Sequence, residues 1–229
     1  MAVVFQTSRI RQRVAKYPRA AAGYARHRDR RHNTIGSVEV AMEQHPGSLK
    51  GHFLIAMPNL RDPNFYQTVT IICEHSADGA VGIVINRVHT EISAEEIFKE
   101  LKVTYDPRVA EIPVHIGGPV HIGEIFIVHG PPLEWGTSLM VTSGIALSNA
   151  LDIIEAIAQF RGPRSVMLSL GCAGWGPGQL EAEIRDNAWL TTPVADDILF
   201  DCPVDHRWQE AVKCLGIDPN LLTHTAGNA

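Results

Sequence analysis

The chain reads as an α+β protein: one domain in which a curled or barrel-like β-sheet, mixed or antiparallel, is flanked by helices. Three observations lead there. β-branched apolar runs and amphipathic segments follow one another irregularly, without the β-α-β alternation of a doubly wound parallel sheet. Asp78-Gly79 sits between two such runs, as expected of an antiparallel hairpin. The composition, 45% hydrophobic and 20% charged, is that of a globular body able to bury a core without disulfides.

The elements follow in chain order. Residues 49–57 form an apolar run stopped by Pro58, and Asp62-Pro63 marks a turn or a helix start. Residues 68–74 and 81–86 are the two hairpin strands. Ser93 and Glu96 have the capping-box spacing, which predicts a helix over 94–102. Residues 114–116, 125–129 and 138–142 are further strands, punctuated by Gly117-Gly118-Pro119 and Pro131-Pro132. Leu147, Leu151, Ile154 and Ala158 share one helical face, with Ser148 as N-cap and Gly162-Pro163 as the stop. Residues 165–170 form a buried strand opening into a glycine-dense loop, 171–178. A helix follows it, with Leu180 and Ile184 inward and Glu181, Glu183 and Asp186 outward. Residues 189–192 and 198–200 are short strands. The last helix carries Trp208, Ala211, Val212 and Leu215 at core spacing and stops at Gly216.

Charge divides the 229 residues. Residues 1–33 hold nine Lys/Arg and one Asp, a balance of +8, and the rest holds 11 basic and 24 acidic side chains, a balance of -13. Residues 1–41 are therefore read as a basic extension, disordered or non-native, ahead of a domain over 42–229. The alternatives are a transit-like peptide and a nucleic-acid-binding arm. The acidic body repels phosphates, which argues against direct DNA binding. No apolar run approaches the ~18–20 residues of a membrane span. The order of basic and apolar residues near the start does not fit a secretory signal, and Arg30-Arg31 has no hydrophobic segment after it. Cys73, Cys172, Cys202 and Cys214 form no C-x-x-C pair, which fits a reducing, cytoplasmic setting.

The densest chemical signal is the loop over 171–178 with Gln179 and Glu181 behind it. Four of its eight residues are glycine, which lets a ligand approach the backbone closely ahead of a helix N-terminus. The same pattern also describes a tight strand-to-helix corner with Trp175 packed over the core, and from the residues alone the corner is preferred. It matches neither the phosphate-binding G-x-x-x-x-G-K-[ST] loop nor the G-x-S-x-G elbow. Cys172 stands where a strand ends, but a buried, inert thiol is preferred to a reactive one. Cys73-Glu74-His75 and His115-x5-His121 do not close a metal site, although a tight turn at Gly117-Gly118-Pro119 could bring the two imidazoles together. Glu181 and Glu183 point about 200° apart on a helix, so a solvated face is expected for them.

Taken in order, these motifs resemble the YqgE/AlgH family: His52-Phe53-Leu54-Ile55-Ala56-Met57-Pro58, Asp62-Pro63-x-Phe65, Cys73-Glu74-His75, Asp78-Gly79-Ala80-x-Gly82, Asn86, Gly117-Gly118-Pro119-Val120, Leu170-Gly171-x-Ala173-Gly174-Trp175, Gly178-Gln179-Leu180-Glu181-x-Glu183, Asn187-Ala188-Trp189-Leu190 and Ala226-Gly227-x-Ala229. The resemblance runs from about Leu49 to Ala229. It implies a single bacterial α+β domain with a curled sheet. It also carries a transcriptional-regulator label of genetic origin, with no reaction attached. The chain departs from the family pattern in three places. Cys172 stands where a Tyr is usual, residues 147–152 lack the usual Arg, and Gly123-Glu124-Ile125-Phe126 replaces an Arg-Gly-Phe, while His129 matches. Family members start near Met42, which favours an upstream start for the extension.

The candidate pocket is drawn from these motifs: Glu74, His75, Asn86, Gly117, Gly118, Gly174, Trp175, Gln179 and Glu181. No catalytic residue, metal or cofactor is assigned. The expected function is a small-ligand or protein-binding module that acts indirectly on transcription. The alternative is an enzyme of unknown reaction with its site near Glu74, His75 and the 171–181 loop. Nucleic-acid binding through the basic arm ranks third.

Overall fold

The alternation of apolar side chains along the strands fixes which faces can be buried. In β1 (His52–Ala56), Phe53 and Ile55 enter one core while Leu54 and Ala56 enter another. In β2 (Val69–Ser76), Ile71 and Cys73 join the first pair and Ile72 the second. The computed structural model of the protein describes residues 47–223. The extension over 1–41 and the closing Ala226-Gly227-x-Ala229 motif lie outside them.

The remaining elements are β3 (Gly79–Val84), β4 (Val88–Ser93), α1 (Ala94–Glu100), β5 (Pro113–Ile116), β6 (Val120–His129), β7 (Ser138–Met140), β8 (Ala146–Ser148), α2 (Leu151–Ala158), β9 (Val166–Trp175), α3 (Gln179–Arg185), β10 (Trp189–Pro193), α4 (Arg207–Lys213) and α5 (Pro219–Thr223). The fold is a single α+β domain. Among the described residues ten strands make one curled sheet in the order β10-β1-β2-β3-β9-β6-β8-β7, with β5 also on β9 and β4 on β5. Every pairing is antiparallel except β5 with β9.

β9 holds the sheet together. Its first half lies between β5 (Val114↔Leu168, Ile116↔Leu170) and β6 (Ile125↔Leu170, Val128↔Met167). Its last three residues pair with β3 instead, Gly82 with Ala173 and Ala80 with Trp175. The handover falls at Gly171, whose φ is +75°. There the backbone of 117–118 crosses: Gly117 N–H donates to Leu170 O, and Gly117 O accepts from Val84 N–H, both at 2.9 Å. A Cβ on Gly117 would lie 2.1 Å from Ser169 Oγ and 2.2 Å from Gly171 O. One on Gly118 would lie 2.3 Å from the carbonyl carbon of Cys172.

Helices cover both faces. Inside the curl, Trp208, Ala211 and Val212 of α4 pack on Phe53, Ile71 and Ile83. Outside, α1 (Ile97, Phe98) and α2 (Ile153, Ile154, Ile157) cover Val114, Ile125, Leu168 and Leu170. Leu180 of α3 covers Leu54, Ile72, Trp175 and Trp189. The capping box of α1 is present, with Ser93 N–H donating to Glu96 Oε2 at 3.2 Å.

Four sequence expectations need correction. The loop over 171–178 is mostly strand, because hydrogen bonds to β3 carry β9 through Trp175, and the turn is confined to Gly176-Pro177-Gly178. Leu147 and Ser148 lie in β8, not in a helix, because β6 and β7 pair with them. The helix starts at Leu151 with Ala150 as N-cap, and its buried face is Ile153, Ile154, Ile157 and Ala158, so Leu151 is exposed. The expected strand over 198–200 is a π-helical turn, Asp197–Asp201, which turns Ile198 and Leu199 into the core beside α4.

The glycine crossing makes a graded prediction. Gly117→Ala and Gly118→Ala each lower unfolding free energy by roughly 3 kcal/mol or more, since backbone must shift. Gly178→Ala, where φ is +71° but nothing lies within 4 Å, costs only about 1 kcal/mol. Urea unfolding of the three variants checks this order, and equal midpoints would contradict it.

Candidate functional site

The end of β9, the turn over 176–178, α3 and β10 build one corner. Gly178, left-handed, starts α3 immediately after the strand ends. Helical spacing then puts Gln179 and Glu183 on the same side of α3, four residues apart. Glu183 is not solvated as expected: its Oε2 accepts from Trp175 Nε1 at 2.9 Å and from Trp189 Nε1 at 2.8 Å. Its Oε1 accepts from Gln179 Nε2 at 2.9 Å, and Gln179 Oε1 accepts from Gly176 N–H at 3.0 Å. Phe65 completes an aromatic cluster, stacked on Trp175 at 6.0 Å and edge-on to Trp189 at 5.5 Å.

His75 joins the corner from β2. Its Nδ1 accepts from Leu49 N–H at 2.9 Å, so a neutral ring carries its proton on Nε2, which donates to Glu181 Oε1 at 2.9 Å. Glu181 is held below the usual carboxylate range, first by its own backbone N–H and then by His75. His75, Trp175, Gln179 and Glu181 are thus brought together.

The other candidate residues lie elsewhere. Glu74 is exposed beside the β2 bulge. Asn86 is at the opposite end of the hairpin, where Oδ1 accepts from Val69 N–H and Nδ2 donates to Gln67 O, both at 2.8 Å. It lines a separate groove of about 410 Å³ with Tyr66, Arg87, Asp205 and Gln209. Gly117 and Gly118 sit at the sheet crossing, and Gly174 faces Val120.

His115 and His121 do not form a pair. His115 is buried on Leu168 O and Arg207, whereas His121 is exposed on Glu124. The Cys172 thiol is buried and pushed up to about 12 by burial, which keeps it protonated and unreactive near neutrality. Among the described residues, no group of three His, Cys, Asp or Glu could hold a metal ion.

A second feature went unread in the sequence. A cleft of about 650 Å³ opens between the 3-10 turn at Pro107–Val109, the end of α2, β9 and the start of α4. Arg207 lies on it, only 5% exposed. Its Nε donates to Cys202 O at 3.0 Å, and its Nη1 to Ile85 O and toward His115 Nε2 at 3.3 Å. No carboxylate pairs with it among the described residues. The signal was present: Arg207, Trp208, Ala211 and Val212 form one stripe of α4, so an arginine stands in a core position.

A small α+β protein with a curled sheet closed on its own backbone, and a polar corner at one end of it, is the class that these features define. The chain belongs to the AlgH-like family, whose model matches residues 53–220. A UPF0301 protein of Desulforapulum autotrophicum is 47% identical over 183 residues, 80% of this chain and 97% of that one. A UPF0301 protein of Thioalkalivibrio sulfidiphilus is 49% identical over 177 residues, 77% of this chain and 95% of that one. The solution structure of the AlgH protein from Pseudomonas aeruginosa is similar with a TM-score of 0.68 and 43% identity, covering 82% of this chain and all of that one. Protein DIP2367 of Corynebacterium diphtheriae, 18% identical, shares the fold, with a TM-score of 0.61 over 81% of this chain and 95% of that one.

Two outcomes are expected. Glu183→Ala leaves two indole N–H groups without their acceptor and lowers stability by roughly 2–4 kcal/mol with a shift in tryptophan emission, while Glu183→Gln keeps an acceptor and loses much less. Burial, and then Arg207, lowers the His115 pKa from 6.5 to about 4, and burial lowers His89 to about 4 as well. The folded state therefore binds fewer protons than the unfolded one in that window. Stability present above pH 6.5 is lost as the pH falls toward 4. Urea midpoints against pH should fall through that range, and less steeply in His115→Gln; parallel profiles would count against His115.

Proposed function

We propose that the chain is a small-ligand-binding module that acts on gene expression indirectly, through a protein partner that senses whether the ligand is bound, and that it works in the cytoplasm. One observation carries this reading: the cleft beside Arg207, which has apolar walls, convergent polar groups and a volume of about 650 Å³. Pockets for small molecules have this size and character. The acidic balance of the body supports an indirect route, since phosphate backbones gain nothing from it. No helix of the described residues is long and apolar enough to cross a membrane.

A second reading keeps an enzyme near His75 and the 171–181 loop, with the exposed Glu74 outside the cluster. The fixed His75–Glu181 pair favours it, because a carboxylate that orients an imidazole is a recurring device of proton transfer.

A thermal-shift screen of chemically diverse small molecules separates the two. Compounds that raise the unfolding midpoint of the parent protein should lose that effect in Ile112→Trp, which fills the cleft, and keep it in His75→Gln. Compounds that respond only to His75→Gln would move the site to the α3 corner. A screen with no stabilising compound would leave the binding reading without support.

A further inference from the structure

The charge around the Arg207 cleft runs against that of the body that holds it. Outside residues 1–33 the chain has 24 acidic side chains and 11 basic ones. Among the described residues, the cleft lining contains Arg161, Arg164, Arg207 and His115 and no carboxylate. Scattered at random, more than two acids would be expected for every base. Arg161 and Arg164 are exposed at the mouth, and neither has an ion pair among the described residues. Arg108 beside the rim is already paired, with Asp106 at 2.7 Å, while its guanidinium lies 3.9 Å over the Phe160 ring.

Arg207 gives the inside of the cleft its polarity. A buried guanidinium is expensive unless its donors are met and its charge is balanced. Here the Nε and Nη1 donors are met by Cys202 O, Ile85 O and the His115 lone pair. His115 adds no balancing charge: its Nδ1 donates to Leu168 O, so the neutral ring offers Nε2 to Arg207. Nη2 has no hydrogen-bond partner among the described residues. The arginine is thus fixed in place by its protein acceptors, positively charged and without a carboxylate partner among the described residues, on a cleft it lines. Around it, Ile112, Ile157, Phe160 and Met167 are apolar, and Phe160 is 56% exposed at the rim.

We propose that this cleft binds a small organic anion, a carboxylate or phosphate monoester head on an apolar body, with the head at Arg207 and the mouth guarded by Arg161 and Arg164. The proposal rests on the binding-module reading and names its ligand class. The head supplies the acceptor and the negative charge that Arg207 lacks, as a charge-assisted hydrogen bond. The body covers the apolar walls. Inorganic phosphate alone leaves most of the cleft unfilled. An organic cation meets three arginines, and a neutral apolar molecule leaves Arg207 uncompensated.

Octanoate, octyl phosphate, octanol, octylammonium and inorganic phosphate, titrated into the full chain by calorimetry, test this. Octanoate or octyl phosphate should bind at least tenfold more tightly than octanol, octylammonium and inorganic phosphate. The ratio of the two anions reports which head is preferred. Added salt should weaken the anions and leave octanol unchanged. Arg207→Met keeps the apolar stem and should bring octanoate down to the octanol level. Should that variant fail to fold, Arg161→Ser with Arg164→Ser, which alters only exposed side chains, should still weaken octanoate severalfold and spare octanol. Octanol or octylammonium binding as tightly as octanoate, with Ile112→Trp abolishing it, would overturn the anion class and leave the binding module standing. If none of the five binds, or none responds to Ile112→Trp, both fall together.

Discussion

Three stretches of backbone meet within bonding distance at Gly117, Gly118 and Gly171, and the fold depends on that crossing. Any side chain there would collide with main-chain atoms at little more than 2 Å, and no rotamer can relieve a contact of that kind. Because the 117–118 segment passes so close, β9 can exchange β5 for β3 as its neighbour in the middle of one strand. That exchange bends the sheet. The bend creates an inside lined by Phe53, Ile71 and Ile83 and closed by α4, and two outside faces covered by α1 with α2 and by α3. It also leaves the start of α4 where Arg207 reaches Ile85 O, just past β3, and Met167 Sδ of β9. The cleft is thus a by-product of the same geometry that curls the sheet.

What could be read from the sequence follows from how local each signal is. The Asp78-Gly79 hairpin, the Ser93–Glu96 capping box and the Gly216 stop depend on a few adjacent residues, and the structure has all three. The glycine run after Leu170 was equally visible, but its cause was not. Glycines that admit a ligand and glycines that admit another strand look the same in one dimension, and at Gly117, Gly118 and Gly171 the visitor is backbone. Residues 147–148 and 198–200 depart from their sequence pattern for a related reason. Periodicity cannot register that β6 and β7 recruit Leu147 and Ser148, or that the 198–200 segment winds toward α4. Of the candidate residues, His75, Trp175, Gln179 and Glu181 converge, while Asn86 belongs to another groove. Motifs adjacent in a family pattern need not be adjacent in space.

The two polar clusters differ in what they leave unsatisfied. At the α3 corner, Glu183 absorbs both indole donors and Gln179, and His75 is held between Leu49 and Glu181. Its hydrogen bonds join β2, β9, β10 and α3, and they lock the helix to the sheet edge. A ligand at that corner would have to compete with bonds already made. At Arg207 the donors that are met are met by carbonyl oxygens and a neutral ring, so the hydrogen bonds are made while the charge stays uncompensated.

That distinction explains why a core position on α4 can carry an arginine at all. Carbonyl dipoles lower the penalty of burying a cation without cancelling it, and burial pulls the Arg207 pKa below its ordinary value. A leucine or methionine in that stripe would pack against Met167 and Trp208 with no such penalty, so packing alone does not account for the residue. The surroundings fit a charge kept for use: among the described residues no carboxylate lines the cleft, in a body where carboxylates outnumber bases by more than two to one. A single acid in the lining would pair with Arg207 and leave an incoming anion nothing to gain. With none there, the incoming anion is the group that completes Arg207.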